Sequence, residues 1–208
     1  MTSVSVPPRP HRPAPHADLT ALIDAAGGAS LGSRAEVAAA TAAVVIQAGR
    51  GRGTQVDQRF VELADRVGLD TLAALWRNAD PVSLPGALWA LYLLRQWCRT
   101  SSDEVRRLWR AGEPLSPADA VVAGVAEPGD EDSVQQVADA VLGGVYRGDV
   151  AVALERAAAL FRVVAAGRRE LAPDDDTGNF ERELAERNER AAADLAAAAR
   201  RWRSGALR

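Results

Sequence analysis

Residues 83–99 read SLPGALWALYLLRQWCR. Serine followed closely by proline is a helix start, because the hydroxyl accepts from a free backbone N–H and proline gives up a donor that has no partner there. From Pro85 to Arg99 the segment carries Leu88, Trp89, Leu91, Tyr92, Leu93, Leu94 and Trp97, so apolar side chains leave the helix axis in nearly every direction. Such a helix belongs at the centre of a core rather than on its surface. A second helix of this kind is expected from the cap at Asp149 to about Ala166.

Working outward, helix signals recur along the chain. Asp18 caps a segment that Gly27 and Gly28 end, and Ser33 with Glu36 forms a capping box for a helix to Ala48. Thr54 opens a helix to Val67, with Gly68 as its left-handed terminator, and Asp70 opens a short one to Asn78. Ser102, Ser116–Pro117 and Asp130 start three more, and Thr177 or Asn179 starts a long charged helix to about Arg203. No segment alternates apolar and polar residues with β-branched enrichment, so strands are not expected. Alanine, 43 of the 208 residues, favours helix and lets helices approach closely. The expectation is an all-α protein, a bundle-like domain of eight to ten helices over residues 17–172. It is preceded by a disordered Pro/Arg-rich tail at 1–16 and followed by an acidic linker at 173–178 and an amphipathic helix at 179–208.

Composition narrows the chemistry. All 25 basic residues are arginine, which removes Schiff-base lysines and the phosphate-gripping lysine of nucleotide-binding loops. The two histidines, His11 and His16, lie in the proline-rich tail, where nothing positions an imidazole for a catalytic triad. One cysteine, Cys98, can form no internal disulfide and reads as a small core residue. Asp174, Asp175 and Asp176 read as a polar linker, without a second acidic motif to complete a metal site. The chain start lacks the apolar run of a secretory signal, and no stretch approaches the roughly 20 apolar residues that span a bilayer. These observations point to a cytoplasmic protein with no catalytic residue, no metal and no cofactor.

Charge is uneven. Residues 1–112 hold 13 Arg and 10 acids, residues 113–194 hold 8 Arg and 18 acids, and residues 195–208 hold 4 Arg and none. The net values are therefore +3, −10 and +4, which read either as an acidic solvated face or as an anion-facing front half with an acidic back.

Three features are candidate contact surfaces. Leu63–Trp76 reads LADRVGLDTLAALW: a small Ala64 for a close helix crossing, Gly68 at a turn, Asp70 as a cap. In this it resembles a helix-turn-helix DNA-binding unit, which implies a second helix with polar residues for base edges. The chain departs from that pattern, since residues 71–76 are TLAALW and suit a core. Just before it, GRGRG at 49–53 puts Arg50 and Arg52 among glycines, and with Arg59, Arg66 and Arg77 would form a basic strip for phosphates. Last, Leu184, Asn188, Ala191, Leu195, Ala198 and Trp202 recur at alternating steps of four and three, a heptad seam with a polar asparagine that could set register in a dimer or pack on the chain's own domain.

The leading expectation is therefore a non-enzymatic helical protein acting through a protein partner or through self-association as a homodimer. The alternatives are a DNA-binding transcriptional regulator built on residues 54–78 with the GRGRG arm, and a small-molecule-binding helical bundle lined by tryptophan.

Overall fold

The computed structural model describes residues 31–50, 69–124, 133–146 and 150–207. Among them lie eight α-helices and no strand: α1 (Leu31–Arg50), α2 (Leu69–Trp76), α3 (Leu84–Thr100), α4 (Ser102–Gly112), α5 (Pro117–Ala123), α6 (Ser133–Tyr146), α7 (Val150–Leu171) and α8 (Asp176–Arg203). A short 3₁₀ turn, Glu113–Leu115, joins α4 to α5. The all-α architecture expected from the sequence is the one observed. The expected tail at 1–16 and the helices placed at 18–26 and 54–67 lie outside the described residues.

Local chemistry explains where helices begin. Ser83 Oγ accepts from the Gly86 N–H at 3.3 Å and donates to the Asp80 carbonyl at 2.6 Å, so one hydroxyl ties the preceding turn to the first turn of α3. Helix α8 starts earlier than Thr177 or Asn179. Asp175 is its cap, with Oδ1 taking the Gly178 N–H at 2.9 Å. Three consecutive aspartates offer equivalent caps, and the choice falls on the one three residues before a glycine that slips beneath the Pro173 carbonyl. The acidic linker is correspondingly shorter than expected. Helix α7 also runs past Ala166 to Leu171.

The centre of the molecule is α7, more than α3. From Ala157 to Phe161 every residue is buried, as are Val163, Val164, Ala165, Gly167 and Arg168. Five successive buried positions exceed one turn, so this part of α7 has no solvent side. It packs most extensively on α8, then on α4, α5 and α6. Helix α3 buries Leu84, Leu88, Leu91, Tyr92, Leu94 and Cys98, yet Leu93 is exposed and Trp89 and Trp97 are half-buried. The bulk of its side chains keeps neighbours at a distance, whereas the alanines of α7 admit a helix on each side.

Glycine sets the closest of these approaches. Gly112 of α4 lies against the Val163 carbonyl, and Gly167 of α7 lies against the Leu108 carbonyl, so the two glycines face each other across one helix crossing. Toward α8 the buried residues are Gly178, Ala185, Ala192, Leu195, Ala198 and Ala199. Four of them, at 178, 185, 192 and 199, repeat every seven residues and form a small-residue seam that lets α8 lie close along its neighbour.

At the other end of the core, Trp76 of α2 is fully buried and its indole Nε1 donates to Thr41 Oγ1 of α1 at 3.0 Å. The threonine hydroxyl in turn donates within α1 to the carbonyl of Val37 or Ala38, each 2.9 Å away. The indole is thus satisfied inside the core, and its ring packs near Tyr92 of α3, centroids 6.1 Å apart.

Gly167→Ala should therefore lower stability by roughly 3 kcal/mol, because the new methyl overlaps backbone rather than a movable side chain. A thermal melt should show the midpoint falling by about 10 °C. Gly144→Ala is the matched control: its Cβ would meet Ala153 Cβ at an ordinary 3.5 Å, so it should be neutral or slightly stabilising. Equal effects of the two variants would refute the backbone-contact account.

Candidate functional site

The arginine strip read from the sequence is only partly within the described residues. Arg50 closes α1, Arg77 is exposed just after α2, and Arg52, Arg59 and Arg66 lie outside. Helix α2 itself turns Leu72, Leu75 and Trp76 into the core. Its apolar face is committed to packing, in keeping with its departure from a base-reading helix, while Ala74, Arg77 and Asn78 remain exposed at its end.

The C-terminal seam lies against the chain's own body. Leu195 and Ala198 are buried, and Ala191 and Trp202 pack half-buried against the same core. Leu184 and Asn188 are half-buried. Asn188 Nδ2 has no hydrogen-bond partner among the described residues. Ion pairs across α7 and α8 fix the antiparallel register: Arg169 with Glu189 at 3.0 Å, and Arg203 with Glu155 through its two terminal guanidinium nitrogens, one of them 2.6 Å from Glu155 Oε2.

Where α3, α4, α7 and α8 meet, a buried arginine joins all four. Arg168 is only 5% exposed. Its guanidinium donates to Glu181 of α8 at 2.6 Å and to Glu104 of α4 at 2.9 Å, and its Cζ stands 5.4 Å from the centroid of the Trp97 ring of α3. Trp97 Nε1 donates to the other oxygen of Glu104 at 3.2 Å. Two carboxylates and a π-face surround the guanidinium and make this a structural junction, in which Arg168 Nε is buried without a hydrogen-bond partner among the described residues. Arg95 of α3 is likewise buried and paired to Asp139 of α6 at 2.5 Å. Cys98, one turn further along α3, is fully buried. Burial, reinforced by the Asp139 charge, pushes its thiol up to about 12, so the reactive thiolate is suppressed.

The open chemistry lies on the outside of α4. This helix buries Val105, Leu108, Trp109 and Gly112 and turns Asp103, Arg106, Arg107 and Arg110 the other way. Together with Ala111 and the end of α7 at Leu171 these side chains line a cleft of about 450 Å³. Arg106 pairs with Asp103, Arg107 and Arg110 are exposed, and Leu171 is 42% exposed. The lining combines three arginines and one aspartate with the aliphatic Ala111 and Leu171. The sequence reading had not singled it out, although DEVRRLWRAG carried the signal: apolar residues and glycine on one helical face, three arginines on the other.

A second hollow, about 350 Å³, is lined by Ala39, Ala43, Ile46, Gln47, Leu84, Trp202 and Leu207. Among the described residues no group of three His, Cys, Asp or Glu side chains is placed to hold a metal ion, and no helix is long and apolar enough to cross a membrane. No family model matches the chain, and comparison with curated proteins and with solved structures returns no match.

The Arg203 guanidinium, hydrogen-bonded to Glu155, holds that carboxyl below the usual carboxylate range against a smaller opposing effect of burial. A depressed folded-state value means that the pair stabilises the protein above the normal glutamate range, near 4.3, and that this stabilisation is lost as pH falls through the lowered value. The melting temperature of Arg203→Gln should therefore lie below that of the wild type at neutral pH, with the gap closing by about pH 2. A gap independent of pH would show that Arg203 contributes by packing alone.

Proposed function

We propose that this chain is a non-enzymatic helical protein that acts through a protein partner, and that the α4 cleft is the contact surface. The observation that carries this reading is the cleft itself, where Arg106, Arg107, Arg110, Ala111 and Leu171 present charge and apolar surface together. Arginine beside exposed aliphatic surface is the composition of protein interfaces, in which guanidinium groups contribute both directed hydrogen bonds and flat apolar area. On α7 and α8, Arg156, Arg162, Arg168, Arg169 and Arg203 bridge to other helices. The arginines of α4 face outward from a helix whose inner face is anchored. Self-association through the outer side of α8 would be a further use of the same kind, since Phe180 there is 54% exposed. We place the protein in the cytoplasm, because a chain with a single cysteine, and so without an internal disulfide, suits a reducing compartment.

The test is site-specific photo-crosslinking in living cells. A photoreactive amino acid in place of Leu171 should yield a discrete covalent adduct with another polypeptide, and the same group at exposed Val44 of α1 should not. No adduct at position 171, or the same adducts at both positions, would overturn the assignment of the surface.

A further inference from the structure

The hollow between α1, the start of α3 and the end of α8 stands apart in charge. Charged residues make up 25% of the chain, yet none of the described residues lining this hollow is charged. Ile46, Leu84 and Leu207 are buried there, Ala39, Ala43 and Trp202 are half-buried, and exposed Gln47 brings an amide. The lining therefore grades from the core to the surface.

Small residues make the space. Ala39 and Ala43 are four apart on α1, so they lie one above the other on one face. Alanines so placed on α7 admit another helix, whereas these two border about 350 Å³ of open volume. The surroundings are held in place. Arg201 of α8 donates to the Val82 carbonyl, just before α3, at 3.2 Å. Beyond α8 the chain turns back at Gly205, whose φ is 71°. The Gly205 N–H donates to the Trp202 carbonyl at 3.0 Å and the Ala206 N–H to the Arg201 carbonyl at 2.8 Å. This pair of bonds is a Schellman cap, and it carries Leu207 onto the core. A hollow shaped in advance lowers the ordering cost of binding.

Size and charge choose the occupant. The described lining is seven residues, against the roughly 20–30 on each side of a stable protein interface, so a second copy of the chain does not fit. An apolar cavity of about 150 Å³ holds one benzene ring, so this one has room for a ring with a substituent. Trp202 contributes its ring as a wall, not its N–H. A carboxylate or ammonium would give up water here and meet no opposite charge among the lining residues. A hydroxyl or amide can exchange hydrogen bonds with Gln47.

We propose that this hollow binds a small uncharged ring compound bearing one neutral polar group. The ring lies against Ala39, Ala43 and Trp202, and the polar group meets Gln47. The site is separate from the partner surface at α4, and either can fail without the other.

Fluorine NMR with the full chain tests it. The probe is para-fluorobenzyl alcohol. Its comparators are para-fluorobenzoate and para-fluorobenzylammonium, which have nearly the same shape. The alcohol signal should broaden as protein is added, and the two ions should bind at least about tenfold more weakly. Ala43→Leu should fill the hollow and weaken alcohol binding at least about tenfold. It should keep the wild-type circular dichroism and a melting temperature no lower than that of the wild type, as cavity filling does. Ala39→Leu fills the same space from one turn away and keeps the test decisive if Ala43→Leu perturbs the fold. Gln47→Ala should weaken the alcohol about threefold, the loss of one hydrogen bond, and leave para-fluorotoluene unchanged. No broadening of the alcohol, equal binding of the ions, or unchanged binding in the filled variants would overturn the proposal. So would a lowered melting temperature in both filled variants, because it would mean that the space is not there.

Discussion

Between Ala157 and Arg168, α7 is surrounded, and its neighbours reach it only because it is built from small residues where they cross. Gly167 lies against the Leu108 carbonyl and Gly112 against that of Val163. This reciprocal contact brings α4 close enough for Val105, Leu108 and Trp109 to be buried at once. On another side, Ala185, Ala192 and Ala199 do the same for α8. Dense packing of small side chains gains dispersion contacts at little cost in side-chain entropy. Its penalty is intolerance, because a single added methyl has no free volume to enter.

The arginines of α7 complete what the alanines begin. Arg156 reaches the Ala123 carbonyl at the end of α5 and Arg162 pairs with Asp119 at its start, so one short helix is held at both ends. Arg168 clamps α3, α4 and α8, and Arg169 pairs with Glu189. The all-arginine composition has a structural use here: a guanidinium can serve two acceptors on different helices in one plane, which an ammonium point charge does less well. With α4 pinned from within by Gly112 and at its start by Glu104, its outer arginines are presented on a rigid support, the condition for a contact surface that binds without first being ordered.

Much of this was legible residue by residue. Ser83 with Pro85, Ser116 with Pro117 and the absence of strand patterning specified where helices start and that no strand forms among the described residues. The small-residue composition announced close packing. The identity of the central helix was not legible, because 84–99 is the bulkier and more apolar segment. Centrality depends on what can approach from every side, and that was settled by Gly112 and Gly167, residues 55 positions apart by number. The candidate site was missed for a related reason. In GRGRG and in residues 63–76 motif and charge coincide in sequence. The arginines of α4 became notable only when their inner faces were seen to be occupied and Leu171 was brought beside them from another helix. In a chain with 25 arginines, RRLWR is not unusual until the fold turns it outward. The heptad seam at 184–202 showed the opposite ambiguity: its spacing was real, and Leu195 and Ala198 meet the chain's own core.

The central claim is that α7 is the element on which the others are assembled. Native-state hydrogen exchange measures this directly, because it reports the free energy at which each helix opens. The account predicts that amides from Leu154 to Gly167 exchange only through global unfolding, with protection equal to the overall stability, while the ends of α8 and the outer turns of α4 open more readily. Exchange of the α7 amides through local opening, while α3 or α8 retains full protection, would contradict it.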